Sequence, residues 1–165
     1  MSTGRPSRVL LLRHAEKPSE NGDPHLSARG RTRAAALSVL VPHAFGRPDH
    51  LFATAPSPDS VRPIETLSPL SAALSLPLQS KWSDDDFAAL ASEILSGKYA
   101  SANVVVCWHH GKLPKLTHAL GVDPKPDDWD AEIFDRFWSI SYDKGGTASL
   151  TQLAQKLLFG DSRDG

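Results

Sequence analysis

Two histidine-bearing turns follow the two most apolar short runs of the chain. Arg13-His14-Ala15-Glu16-Lys17 comes after Val9-Leu10-Leu11-Leu12, and His109-His110-Gly111 comes after Val104-Val105-Val106-Cys107-Trp108. Imidazole titrates near neutrality and serves as base, acid or nucleophile, so where it is placed decides what it does. The arginine beside His14 is a permanent cation whose planar fork matches oxyanions. A compact apolar run without polar alternation reads as a buried strand. At the carboxyl ends of parallel strands in an open sheet, two sequence-distant histidines converge on the crevice where ligands bind.

The elements that must position them alternate. Arg8 to Leu12 and Asn103 to Trp108 read as strands, with Asp49 to Ala53 a weaker third. A helix is expected from an N-cap at Ser27 to about Leu40, weakened locally by Gly30 and stopped by Pro42. Further helices are expected over Pro58 to Leu74, Asp84 to Leu95 and Pro114 to Leu120. Phe137 to Tyr142 and Thr147 to Leu153, joined by Lys144-Gly145-Gly146, predict a terminal hairpin, with a helix over Ser149 to Leu158 as the competing pattern. Strands alternating with helices predict a three-layer α/β/α sandwich on a mostly parallel sheet.

A chain of 165 residues suits one domain with a single core. Hydrophobic residues at 40% and charged residues at 22% are ordinary globular values, which excludes collagen-like or wholly disordered behaviour. The loose parts are expected at Met1 to Ser7 and Gly160 to Gly165. Eighteen Lys+Arg against 19 Asp+Glu leave a net charge of -1, so no basic field invites nucleic acid or a membrane surface. Cys107, the only cysteine, cannot form an intrachain disulfide, and no run matches a signal peptide or a transmembrane span. A soluble, cytoplasmic protein is the expectation.

The motif residues resemble the histidine phosphatase superfamily, the phosphoglycerate mutase-like family, which opens on a strand followed by Arg-His-Gly or Arg-His-Ala. Leu11-Leu12-Arg13-His14-Ala15-Glu16-Lys17 fits that opening. Leu26-Ser27-Ala28-Arg29-Gly30, Ser60-Val61-Arg62-Pro63-Ile64-Glu65-Thr66 and His110-Gly111 follow in family order. The stretches Trp108 to Pro114 and Trp129 to Tyr142 look like a small phosphatase-like branch of the family.

The resemblance implies a phosphatase that forms a covalent phosphohistidine on His14, with Arg13, Arg62 and His110 binding the phosphoryl oxygens and no metal or other cofactor. The chemistry of the residues agrees, since a neutral imidazole can attack phosphorus and guanidinium forks hold phosphate. Arg62 alternatively pairs with Glu65 one helical turn away. His109 is the alternative to His110, because neighbours at a strand end point apart and only one enters the pocket. Protonating a leaving alkoxide needs a carboxylic acid. Asp85, within Asp84-Asp85-Asp86, is the expected acid; Asp84, Asp86 and Glu16 are alternatives, and an acidic first turn capped by Ser83 is the competing role for the trio.

The expected substrate is a phosphorylated small molecule or a phosphoprotein. A phosphomutase, or a silent phosphate-binding module, is the competing reading. His25, His43, His50 and His118 lack ligand-like spacing, and Cys107 reads as a core residue.

Overall fold

The computed structural model describes residues 4–163. Six strands form one sheet: β1 (Arg8–Arg13), β2 (His50–Ala53), β3 (Leu78–Gln79), β4 (Asn103–Trp108), β5 (Arg136–Tyr142) and β6 (Ala148–Ala154). They lie in the order β3-β2-β4-β1-β5-β6. The first four are parallel where they pair, and β5 and β6 run antiparallel as a hairpin. The helical alternative for Ser149 to Leu158 is therefore not adopted. β3 has no counterpart in the sequence reading, because two half-buried residues carry no periodicity.

Four helices cover the sheet: α1 (Ala28–Phe45), α2 (Arg62–Leu74), α3 (Phe87–Ile94) and α4 (Leu113–Ala119). Alternation along the central strands decides which face receives which helix. Leu10, Leu12, Val105 and Cys107 pack with Leu37 and Val41 of α1 and Leu67 and Leu70 of α2. Val9, Leu11, Val104, Val106 and Trp108 pack with Leu90 and Ile94 of α3 and Leu113 and Leu116 of α4. Both strand faces are thus buried, which is why β1 and β4 are continuously apolar. The result is the expected three-layer α/β/α sandwich.

Three expectations are corrected. Pro42 does not stop α1, which continues to Phe45. A proline inside a helix costs about 3 kcal/mol, and here Val41 and Phe45 offset it by packing on the sheet, the Phe45 ring 5.1 Å from that of Phe137. α2 begins at Arg62 rather than Pro58, because Ser57 and Ser60 bridge each other across a turn. Neither tail is loose where it is described. Ser7 N–H donates to Ala102 O at 2.8 Å and Ser101 N–H to Arg5 O at 2.8 Å. Asp161 pairs at 2.7 Å with Arg33, two side chains that are 3% and 2% exposed. Met1 to Thr3 and Asp164 to Gly165 lie outside the described residues.

Gly30, read as a weak point in a helix, is where α1 touches the loop that follows β1. A Cβ there would sit 2.3 Å from the Glu16 carbonyl oxygen. The same carbonyl accepts from Ser27 N–H at 2.9 Å, and the Ser27 hydroxyl caps Gly30 N–H at 3.0 Å. Alanine is the better helix former by about 1 kcal/mol. The clash is with backbone, however, and such overpacking costs about 1–3 kcal/mol, so Gly30→Ala is expected to lower the urea midpoint. An unchanged or raised midpoint would show that the loop yields.

Candidate active site

Where β1 and β4 end, their register continues into the loops. Arg13 is paired with Trp108, and His14 N–H donates to Trp108 O at 3.2 Å, so the next residues, His14 and His109, stand side by side. Their rings meet edge-on with centroids 5.3 Å apart. On the other side of β4 is β2, and Thr54, the residue after it, places Oγ1 3.5 Å from His109 Nε2. Thr54, His109 and His14 thus form a row along the carboxyl edge of three neighbouring parallel strands, the crevice position of open α/β sheets.

The His14 ring is 3% exposed. Its Nδ1 lies 2.7 Å from the Ala15 carbonyl, which can only accept. Nδ1 therefore carries the hydrogen, and Nε2 keeps its lone pair. Burial pushes the His14 pKa down to about 3, helped by the charge of Arg13. His109 is pushed down to about 4, first by burial and then by Arg62. Both rings are neutral at physiological pH.

Arg13 is 2% exposed, and its guanidinium stacks 3.8 Å over the Phe134 ring. Its Nη1 donates to the Ala131 carbonyl and, at 3.3 Å, to that of Ile133, while Nε has no acceptor. Burial lowers its pKa to about 10, so it stays charged. A buried cation with an open donor calls for an anion.

Arg62 opens α2, and its Nε and Nη2 donate to the carbonyls of His25, at 3.0 Å, and Asp23. The competing ion pair with Glu65 is not formed. Glu65 instead accepts from Leu26 N–H at 2.8 Å and meets His25 Nδ1 at 2.6 Å. Thr66 Oγ1 accepts from Ala15 N–H at 2.9 Å. The Arg62-to-Thr66 motif is a clamp, holding the loop before α1 and the loop behind His14 on one helix end.

The histidine expected to enter the pocket was His110, and the geometry reverses this. His109 makes the ring contact with His14 and is acted on by both arginines, whereas His110 is less buried and faces Arg13 and Lys17 from one residue further along. The acidic trio also divides differently from expectation. Asp85, the expected acid, is 82% exposed at its side chain and ion-paired to Lys112, which holds its carboxyl below the usual range. Asp86 turns back to Ser83, accepting from its N–H at 3.1 Å and its hydroxyl at 2.6 Å. Asp84 is the half-buried member: Oδ1 has no partner, and burial raises its pKa to about 6 against the opposing charge of Lys112. The Trp108 indole N–H donates to the Asp84 carbonyl at 3.2 Å, tying that turn to the end of β4. Glu16 is consumed by Arg33, whose Nε lies 3.0 Å from both carboxylate oxygens.

Comparison with known proteins supplies the fold. No protein-family model and no curated protein matches the chain. Among solved structures, it is similar to a mycobacterial glucosyl-3-phosphoglycerate phosphatase in complex with inorganic phosphate, with TM-score 0.65 and 17% identity over 88% of this chain and 95% of that one. A phosphoglycerate mutase from Bacillus anthracis matches at TM-score 0.60 and 13% identity, covering 92% of this chain and 94% of the other. The protein histidine phosphatase SixA, complexed with tungstate, matches at TM-score 0.58 and 16% identity over 90% of this chain and 97% of that one. The fold is that of the histidine phosphatases.

Within this histidine phosphatase fold, sequence reasoning missed Phe134, Thr54 and the Ala131 and Ile133 carbonyls. Thr54 had a usable signal, since it follows a parallel strand as His14 and His109 do. Phe134 had none: it is a single aromatic in a loop, and the sequence does not reveal that the chain there passes beneath Arg13.

Proposed function

We propose that this one-domain chain is a metal-independent phosphatase that hydrolyses a phosphate monoester or phosphoramidate through a covalent phosphohistidine on His14. The observation that carries the reading is the state of the His14 ring, neutral and with Nδ1 committed to Ala15 O, beside the buried Arg13 guanidinium with its open donor. Nε2 attacks phosphorus, the N–P bond forms, and the bond to the leaving oxygen breaks. Water then attacks phosphorus, the P–N bond breaks, and phosphate leaves. Arg13 and Arg62 hold the equatorial oxygens, and His109, rather than His110, contributes a neutral hydrogen-bonding ring to the charge that builds in transfer. The solved structures of similar fold named as phosphatases, one holding phosphate and one tungstate, support a phosphorylated small molecule or a phosphoprotein as partner.

Turnover of para-nitrophenyl phosphate tests the reading, and it should persist in EDTA. Complete loss that metal restores would reject the two-arginine design. Phosphate binding without turnover would make the chain a binding module.

Asp84 takes the general-acid role in place of Asp85. Asp84→Asn is expected to slow alkyl phosphate turnover by about 10²–10⁴-fold, with a much smaller effect on the nitrophenyl ester, whose leaving group needs no proton. Wild-type alkyl turnover should fall as pH rises through the Asp84 pKa of about 6, or somewhat higher with phosphate bound. The stability sign follows from the same shift. A raised carboxyl pKa gives stability that is complete below the unfolded value of 3.8 and lost as pH rises through about 6. Asp84→Asn should therefore be more stable than wild type at pH 8 by about 1 kcal/mol, after allowance for partial exposure. Equal alkyl turnover in the variant would remove Asp84 from the mechanism.

A further inference from the structure

Behind the site lies a buried ion-pair network with Arg33 of α1 at its centre. The Arg33 side chain is 2% exposed. Its Nε and Nη2 hold the Glu16 carboxylate, the shortest contact being 2.7 Å, and its Nη1 and Nη2 hold Asp161 at 2.8 and 2.7 Å. Nη1 also donates to Gln155 Oε1 at 2.9 Å. Against burial, Arg33 and the Leu157 and Leu158 N–H groups keep the Asp161 carboxyl below its usual range, so it meets Arg33 as a carboxylate. Arg29, half-exposed, supplies a second cation 3.2 Å from Glu16 and 3.3 Å from Asp161. Without Arg33, two carboxylates would share one half-exposed arginine.

The two carboxylates lead to different parts of the site. Glu16 lies two residues after His14, and between them Ala15 fixes the His14 ring through its carbonyl and meets Thr66 through its N–H. Asp161 anchors a segment whose next residue, Ser162, donates its N–H to Asp135 Oδ2 at 2.6 Å. Gln155 N–H donates to Asp135 O at 2.9 Å. Asp135 follows Phe134, whose ring lies under the Arg13 guanidinium, and Arg13 is held by the Ala131 and Ile133 carbonyls of that same loop. One guanidinium fork therefore ties the backbone behind the nucleophile to the ring beneath the phosphate-binding arginine.

We propose that Arg33 is a positioning residue of the phosphatase, setting His14 through Glu16 and Arg13 through Asp161, along two arms that can be separated. The proposal rests on the phosphatase reading. Lysine keeps the charge but has no planar fork to serve Glu16, Asp161 and Gln155 together. A site whose supporting residues let the reacting groups drift loses rate while the chain stays folded.

The test measures two quantities well below each melting midpoint: kcat for para-nitrophenyl phosphate, whose leaving group needs no proton, and affinity for inorganic phosphate by calorimetry. Arg33→Lys should lower kcat by about 30-fold and phosphate affinity by about tenfold, because both arms slacken. Glu16→Gln should lower kcat by about tenfold with phosphate affinity within about twofold of wild type. Asp161→Asn should do the reverse, weakening phosphate by about tenfold with kcat within about threefold. Val41→Ala, a core truncation on the same helix, is the control for stability alone and should leave both quantities within about twofold. Should Arg33→Lys fail to fold, the two single-arm variants decide. Wild-type values in the folded variants, both arms moving both quantities alike, or losses that Val41→Ala reproduces would overturn the positioning role and leave the network merely structural. Absence of nitrophenyl phosphate turnover in wild type would instead sink the phosphatase reading, and phosphate affinity would still decide the Asp161 arm.

Discussion

His14→Ala is expected to lose turnover and covalent labelling together, by about 10⁴-fold or more, since His14 is the residue assigned to attack phosphorus in the first step. The size of the effect comes from geometry. His14 follows a strand whose four apolar residues, Val9 to Leu12, are fully buried, the ladder continues through its N–H to Trp108 O, and its ring is fixed by Ala15 O. A nucleophile held so firmly has lost its orientational freedom before substrate arrives. The adduct is a phosphoramidate, labile in acid and stable in base. Alkaline quenching within the first turnover, followed by phosphopeptide mapping, should place phosphate on the peptide containing His14. Retained turnover in His14→Ala would overturn the mechanism outright.

The second large effect separates two neighbours. His109→Ala should lower kcat/KM for an aryl phosphate by about 10²–10³-fold, the range for losing one preorganised donor to a developing charge. His110→Ala should stay within about threefold of wild type. The contrast follows from the strand register, which sets His109 against His14 with ring centroids 5.3 Å apart and leaves His110 one residue beyond. Steady-state kinetics on both variants, with melting curves to confirm folding, decides it. The reverse ranking would restore His110 to the role the family resemblance suggested.

Much of the architecture was legible because buried parallel strands have a loud signature. The apolar runs of β1 and β4 have no alternative as surface segments, and their following residues must lie at one sheet edge. Helix limits were less legible. Pro42 breaks a helix in isolation, and only the packing of Val41 and Phe45 keeps α1 running past it. Gly30 looks like a defect until the Glu16 carbonyl is seen where its Cβ would be.

The sequence by itself determined the residue types at the crevice: Arg13 and His14 at one strand end, a histidine pair at another, and an arginine opening a helix. It determined these because strand ends and helix starts are local properties of neighbouring side chains. Only the tertiary structure decided which histidine of the pair faces His14, because that depends on the register between β1 and β4, and a shift of one residue exchanges the two. Only it decided the state of the acidic trio as well. Asp84, Asp85 and Asp86 are chemically identical, and what makes one protonatable, one ion-paired and one a cap is the desolvation and the partner each meets in the folded chain.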